Sequence, residues 1–211
     1  NIDVKPYYHN NSEYKLLPKI EESTHLVAEY QEGLEDQAFA FLLNENVENL
    51  DEKSIFINNA ELSEHILTDE SNRYFSLIDV FSDDYKAEIN EHLAGELLSK
   101  SFERNICIDV SLHQNSGASI IQQLSFALAK SKELVEKFGS EILDQLIFKF
   151  AVGSQYFFEI AKVRAYKYLF NQFSKEFGKD LIPYIFVETS LRNKKKKDQD
   201  NNLIRSTMEL A

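Results

Sequence analysis

Six short runs rich in β-branched and aromatic residues, separated by longer segments with helical spacing, constrain this chain more than any other feature. The runs are "HLVAEY" (25–30), "SIFIN" (54–58), "YFSLIDV" (74–80), "NICIDVS" (105–111), "LIFKFAVG" (146–153) and "IPYIFVETS" (182–190), each short enough to be one strand. Helical spacing is carried by Ala38, Leu42 and Leu43, by Leu93, Leu97 and Leu98, by Ile120, Leu124, Ala127 and Leu128, and by Phe157, Ala161, Ala165 and Leu169. Strand followed by helix, repeated along the chain, predicts an α/β fold around a parallel sheet.

Two parallel architectures compete. A doubly wound dinucleotide-binding sheet needs a glycine-rich first turn, and neither G-x-G-x-x-G nor G-x-x-x-x-G-K-[ST] occurs here. The expectation is therefore a (β/α)8 barrel. A complete barrel takes about 250 residues and eight units, so six units in 211 residues predict an incomplete one. Residues 1–24, with Pro6 and Pro18 among polar clusters, read as an N-terminal arm, and 25–211 as the N-terminal part of the barrel. Ser116 and Ser154 are placed to cap the helices that follow them, and Gly139 and Gly178 suit helix exits.

Charge narrows the function classes. A net charge of -12 repels phosphate backbones, so nucleic-acid binding would require a segregated basic face. The run Lys194–Lys197 does not supply one, because Asp198 and Asp200 follow it; a solvated loop is the plainer reading than a phosphate site. No apolar run approaches the roughly 18 residues of a membrane span, and the start "NIDVKPYYHN" lacks the layout of a secretory leader. These features predict a soluble, cytoplasmic protein; the first residue is not Met, so an upstream segment is expected to have been removed. The single cysteine, Cys107, inside "ICIDV", reads as a buried apolar residue in a reducing compartment.

"DVSLHQNSGAS" joins a strand end to a helix and brings Asp109, His113 and Asn115 to the address where barrel enzymes keep catalytic loops. These residue types fit general acid–base work or metal ligation; they also fit a polar loop that satisfies a helix start. His9, His25, His65 and His92 show no ligand spacing with His113, and the loop only superficially resembles the cobalamin-ligating D-x-H-x-x-G pattern. Lys162 and Arg164 are expected on the outer surface of their helix, with Phe157, Ala161 and Ala165 facing the sheet and Glu159, Lys162 and Tyr166 facing solvent. The carboxylate pairs Glu21–Glu22 and Asp83–Asp84 lie in polar connections without apolar neighbours and receive no catalytic role.

Two blocks, "FKFAVGSQYFFEIAKVRAYKYLF" and "VETSLRNKKKKDQDNNLIRST", resemble the barrel domain of the methylmalonyl-CoA mutase family, with agreement at Gly153, Phe157, Glu159, Ile160, Ala161, Lys162, Arg164, Ala165 and Leu169, then at Thr189, Ser190, Asn201, Asn202 and Arg205. Weaker agreement extends through "NICIDVSLHQNSGASIIQQLSFALA" and back to "NIDVKPYY". The resemblance implies a (β/α)8 barrel along which a CoA thioester lies, with adenosylcobalamin on a separate domain, and isomerisation of methylmalonyl-CoA to succinyl-CoA by a radical route, as in propionate metabolism. It also implies a histidine at the place Phe186 occupies here, an arginine at Gln145 and a glutamine at Glu188. The departures at these positions make the chain similar to the noncatalytic small subunit of the family. That likeness implies no catalytic, cofactor-binding or metal-binding residue of its own, and a heterodimer with a catalytic large subunit that carries adenosylcobalamin. The alternative is a competent cobalamin-dependent acyl-CoA mutase of altered specificity, in which Glu188, His113 or a partner residue replaces the histidine.

Overall fold

The computed structural model describes residues 25–33, 38, 40–45, 47, 50, 52–61, 73–82 and 87–210. The expected arm, residues 1–24, lies outside the described residues, as do Glu21, Glu22, Asp83 and Asp84. Four strands, β1 (Val27–Glu29), β2 (Ala40–Leu43), β3 (Ser54–Ile57) and β4 (Arg73–Ser76), pair in chain order, and every pair is parallel. A second parallel group, β5 (Ile106–Asp109), β6 (Leu146–Val152) and β7 (Tyr184–Thr189), also follows chain order. The groups are joined by backbone bonds from Ser76 N to Arg104 O (2.8 Å), Glu103 N to Tyr74 O (2.8 Å) and Cys107 N to Ile78 O (3.0 Å). Among the described strands the order never reverses, whereas a doubly wound sheet reverses at its switch point. The expected α/β class with a parallel sheet is what the chain adopts.

The sheet is curled. Flat strands sit about 4.8 Å apart, which would put β3 and β7 about 19 Å from each other. Instead Phe56 of β3 meets Phe186 of β7 with ring centroids 5.2 Å apart, and Phe75 of β4 stacks on Tyr184 of β7 at 5.0 Å. These rings belong to an inner cluster with Ala40, Leu77, Cys107 and Ile147. The alternate side chains of the same strands, Ile106, Ile108, Phe148 and Phe150, point outward into a second and larger cluster that includes Leu124, Leu134, Tyr166 and Phe170 from the covering helices.

Those helices are α1 (Glu91–Leu98), α2 (Ser111–Asn115), α3 (Ile120–Phe138), α4 (Tyr156–Glu176) and α5 (Gln199–Leu210), with a 3-10 turn at Ser140–Gln145. α3 starts at Ser119, whose side chain accepts from Gln122 N while Gln122 reaches back to the Ser119 N–H; this capping box displaces the cap expected at Ser116. α4 begins after Gln155 with no side-chain cap, so Ser154 does not cap it either. Gly139 and Gly178 do end α3 and α4, at φ values of 85° and 74° that favour glycine.

Two further expectations fail for physical reasons. Ala38, Leu42 and Leu43 do not lie on a helix: Ala40–Leu43 is strand β2, apolar on both sides because one face meets the inner cluster and the other meets Ile55 and Ile57, so no period of two is left to read. The strand count among the described residues therefore rises from the expected six to seven. On α4 the inward and outward faces are exchanged. Lys162, Tyr166 and Phe170 are buried, while Phe157 is 82% exposed and Ala161 and Ala165 are exposed. Tyr166 and Phe170 bury far more apolar area than two alanines would, and that difference sets the rotation.

Phe148 is fully buried and meets both Tyr166 and Phe170 edge-on at 4.9 Å. Phe148→Ala is expected to cost about 3–5 kcal/mol of unfolding free energy, measured by denaturant titration.

Candidate functional site

The C-terminal ends of parallel strands are where α/β folds place their sites, and here four charged side chains gather there. Asp79 follows β4, Asp109 ends β5, and Lys149 and Glu188 stand on β6 and β7. Register puts Lys149 beside Asp109 on one side and Phe186 on the other. Lys149 Nζ lies 3.0 Å from Asp109 Oδ2 and 3.1 Å from Glu188 Oε2, so one ammonium links three strands. Burial alone would favour the neutral amine, but the two carboxylates outweigh it and hold the Lys149 pKa above the usual lysine value.

Asp79 extends this row. Its Oδ2 accepts from Asp109 N (2.9 Å) and pairs with Lys130 of α3 at 2.7 Å, and its Oδ1 accepts from Phe81 N (3.0 Å). Asp109 Oδ1 accepts from both Ser111 N (2.8 Å) and Ser111 Oγ (2.6 Å), which satisfies the start of α2. The helix-start role expected for the "DVSLHQNSGAS" loop is thus real, and Asp109 adds an ion pair to it.

The other two residues of that loop go elsewhere. His113 packs against Phe126 with ring centroids 4.6 Å apart and its Nε2 buried, and burial, aided by Lys130, lowers its pKa. Asn115 Oδ1 accepts from Leu191 N (2.9 Å) and ties α2 to the loop after β7. Asp109, His113 and Asn115 therefore serve three different neighbourhoods. Among the described residues no three His, Cys, Asp or Glu side chains gather as a metal ion would require. No helix among them is long and apolar enough to cross a membrane.

A second polar focus lies on the outer side of β6. Lys162, expected in solvent, is 1% exposed; its Nζ donates to Ala151 O (2.6 Å) and Gln123 Oε1 (3.2 Å) and pairs with Glu159 Oε2 at 2.5 Å. Two N–H groups thus meet acceptors from β6 and α3, and the ion pair adds a carboxylate from α4. Burial pulls Lys162 below the ordinary lysine pKa, and Glu159 only partly restores it. Arg164 is exposed as expected.

Phe186 faces the inner cluster against Phe56, two residues below Glu188 on the same face. Gln145 closes the 3-10 turn at the opposite, N-terminal end of β6, where its carbonyl accepts from Asn105 N. Cys107 is fully buried in the inner cluster, and burial pushes its thiol pKa well up, so it is a packing residue as expected. In the lysine loop Lys194 pairs with Glu209 at 2.5 Å, and Asn202 bonds both Lys195 N and Lys195 O, so α5 folds back on the loop; Lys195–Lys197 remain exposed.

Sequence reading missed Asp79, Lys130 and Lys149. The signal was present for two of them: a lone lysine inside "LIFKFAVG" and a lone aspartate inside "SLIDVF" each interrupt an apolar strand, and a charge in such a place needs a partner.

The family profile described as methylmalonyl-CoA mutase matches residues 97–211. A methylmalonyl-CoA mutase small subunit of Porphyromonas gingivalis is 37% identical over 45% of this chain and 17% of its own length. Methylmalonyl-CoA mutases of Rhizobium meliloti (29% identical, 58% of this chain, 18% of the relative) and Escherichia coli (33%, 44% and 15%) are also similar. The chain spans less than a fifth of the length of these curated relatives.

The Lys162 site makes a signed prediction. Its depressed folded pKa means that the unfolded chain binds the proton more tightly, so stability rises with pH from the folded value up to the unfolded value near 10.4. The paired replacement Lys162→Met with Glu159→Leu is expected to flatten that alkaline rise while changing stability at neutral pH little, since a buried ion pair replaced as a whole by apolar volume is often neutral. Glu159→Gln, which strands the buried ammonium, is expected to cost about 3–5 kcal/mol. Denaturant unfolding from pH 7 to 10.5 checks both.

Proposed function

The chain belongs to the methylmalonyl-CoA mutase family, and from that premise we propose that it is the N-terminal barrel portion of a noncatalytic small subunit, whose role is to stabilise a catalytic large subunit that isomerises methylmalonyl-CoA to succinyl-CoA. The observation that carries this reading is Phe186. At the position where family resemblance implies a histidine, the chain has a ring packed on Phe56 in the inner cluster, with no proton to donate and no lone pair to accept one. The curled sheet in unbroken chain order supports the (β/α)8 reading, with the remaining strands supplied outside the seven described.

Filling of the inner face supports the same conclusion from a different direction. From the N-terminal end upward, Arg73 and Arg104 sit over the rings of Phe75 and Tyr184 (5.5 and 5.6 Å), Phe56 and Phe186 pack above them, and Asp109, Lys149 and Glu188 lie at the top. A thioester lying along the axis would have to displace these contacts.

His113, the histidine on a strand-end loop, does not suit cobalamin ligation: its ring packs against Phe126 with Nε2 buried, and it cannot reach a metal without leaving that packing. The reading therefore gives adenosylcobalamin to the catalytic partner in a heterodimer. Both stand-ins for the missing histidine are engaged, Glu188 with Lys149 and His113 with Phe126, which speaks against the competent-mutase alternative.

The test is reconstitution with a catalytic large mutase chain. The expected outcome is a stable complex by size exclusion, methylmalonyl-CoA turnover only when the large chain and adenosylcobalamin are present, and no turnover by this chain alone or by Phe186→His, since Gln145 and Glu188 also differ. Turnover by this chain alone with adenosylcobalamin would overturn the reading.

A further inference from the structure

We propose that Lys149 is a built-in occupant of the open end of the inner face: its ammonium, held by Asp109 and Glu188, takes from within the chain the position beside Phe186 that a bound ligand's polar group would otherwise fill, and fastens β5, β6 and β7 together there. The tie across the three strands stands on their geometry alone; that a ligand's polar group would otherwise fill the position rests on the mutase reading.

Three observations carry it. First, sidedness and register: Lys149 is the direct neighbour of Asp109 on β5 and of Phe186 on β7, and all three point to the inner side, where residues two apart on one strand share a face. A lysine at this point of an otherwise buried strand has only the inner face for its ammonium. Beneath it the face is apolar and aromatic, so the nearest acceptors are those at the strand ends.

Second, both carboxylates converge on one ammonium, at 3.0 and 3.1 Å, with side chains only 20% (Lys149), 23% (Asp109) and 34% (Glu188) exposed. Two of the three ammonium hydrogens are thus committed within the chain. Asp109 is held rigidly for the purpose, since its other oxygen accepts twice from Ser111. The pair is therefore positioned before any ligand arrives.

Third, the charge balance excludes the obvious rival, an anion-binding cradle. The groups facing this end from every packed element are Asp79 after β4, Asp109 on β5, His113 on α2, Lys130 on α3, Lys149 on β6 and Glu188 on β7. With His113 neutral, three carboxylates face two ammonium groups, so the local sum is negative. A carboxylate or phosphate is repelled there, although two lysines are present. The lysines answer to internal carboxylates and leave no positive field for a ligand.

The experiment compares the wild-type protein with Lys149→Ala, Lys149→Arg and Glu188→Gln by thermal unfolding, with and without propylammonium chloride, using sodium chloride at equal ionic strength as control. Lys149→Ala removes the cation and opens the space it filled. Its unfolding midpoint is expected to fall by roughly 5–10 °C, with propylammonium restoring about half of the loss; Lys149→Arg retains most of the midpoint, and the wild type does not respond to the amine. Glu188→Gln, on a half-buried residue, covers the case in which Lys149→Ala does not fold: amide exchange at Val187–Thr189 is then expected to speed up at least tenfold while exchange in β2 and β3 stays unchanged. A Lys149→Ala midpoint equal to wild type overturns the proposal, as does failure of propylammonium to exceed sodium chloride in a folded Lys149→Ala protein, or unchanged exchange in Glu188→Gln. Saturable acetyl-CoA binding by the wild type that slows exchange at the same amides also overturns it.

Discussion

Contact between the third and seventh strands is the constraint on which the rest of this structure depends. Phe56 and Phe186 touch because the sheet is curled, and the sheet can stay curled because aromatic rings fill its inner side. Burial of such rings contributes through lost water-exposed area and through the preferred ring geometries. Once that side is filled, the outward side chains of the same strands must find their cover in α3 and α4, and the register of each strand decides which residue goes where. Phe186 is therefore an architectural residue at a position where the chain's family resemblance implies chemistry.

Two buried or half-buried lysines show how the same residue type serves different ends. Lys162, on the outer side of β6, is drawn below the ordinary lysine pKa because desolvation outweighs its single carboxylate. Lys149, on the inner side, is held above it because two carboxylates outweigh desolvation. One is a costly polar anchor among three elements; the other is a favourable tie across three strands. Both sit on or against β6, the longest of the described strands, whose seven residues run between the two clusters.

Much of the fold was legible from local pattern. Six of the seven described strands followed from runs such as "ICIDV" and "IFKFAV", because β-branched and aromatic residues bounded by polar turns leave few alternatives. β2 was hidden because "AFLL" is apolar on both faces, and a short continuous apolar run has no period. The orientation of α4 was hidden for a tertiary reason. Lys162 looks like a solvent residue until Ala151, Gln123 and Glu159 are seen to surround it, and those partners come from three separate elements. At the site, Phe186 and Glu188 were visible through family resemblance, while Lys130 became meaningful only through its pairing with Asp79, 51 positions away.

The central claim is that the inner face is packed on itself, with Phe56 and Phe186 bound to one another rather than lining space for a ligand. A double-mutant cycle tests it most directly, using Phe56→Ala, Phe186→Ala and the double variant in denaturant unfolding of the same protein. The account predicts a coupling of about 0.5–1.5 kcal/mol between the two rings. Additive losses within about 0.3 kcal/mol would mean that the rings do not meet, and would contradict it.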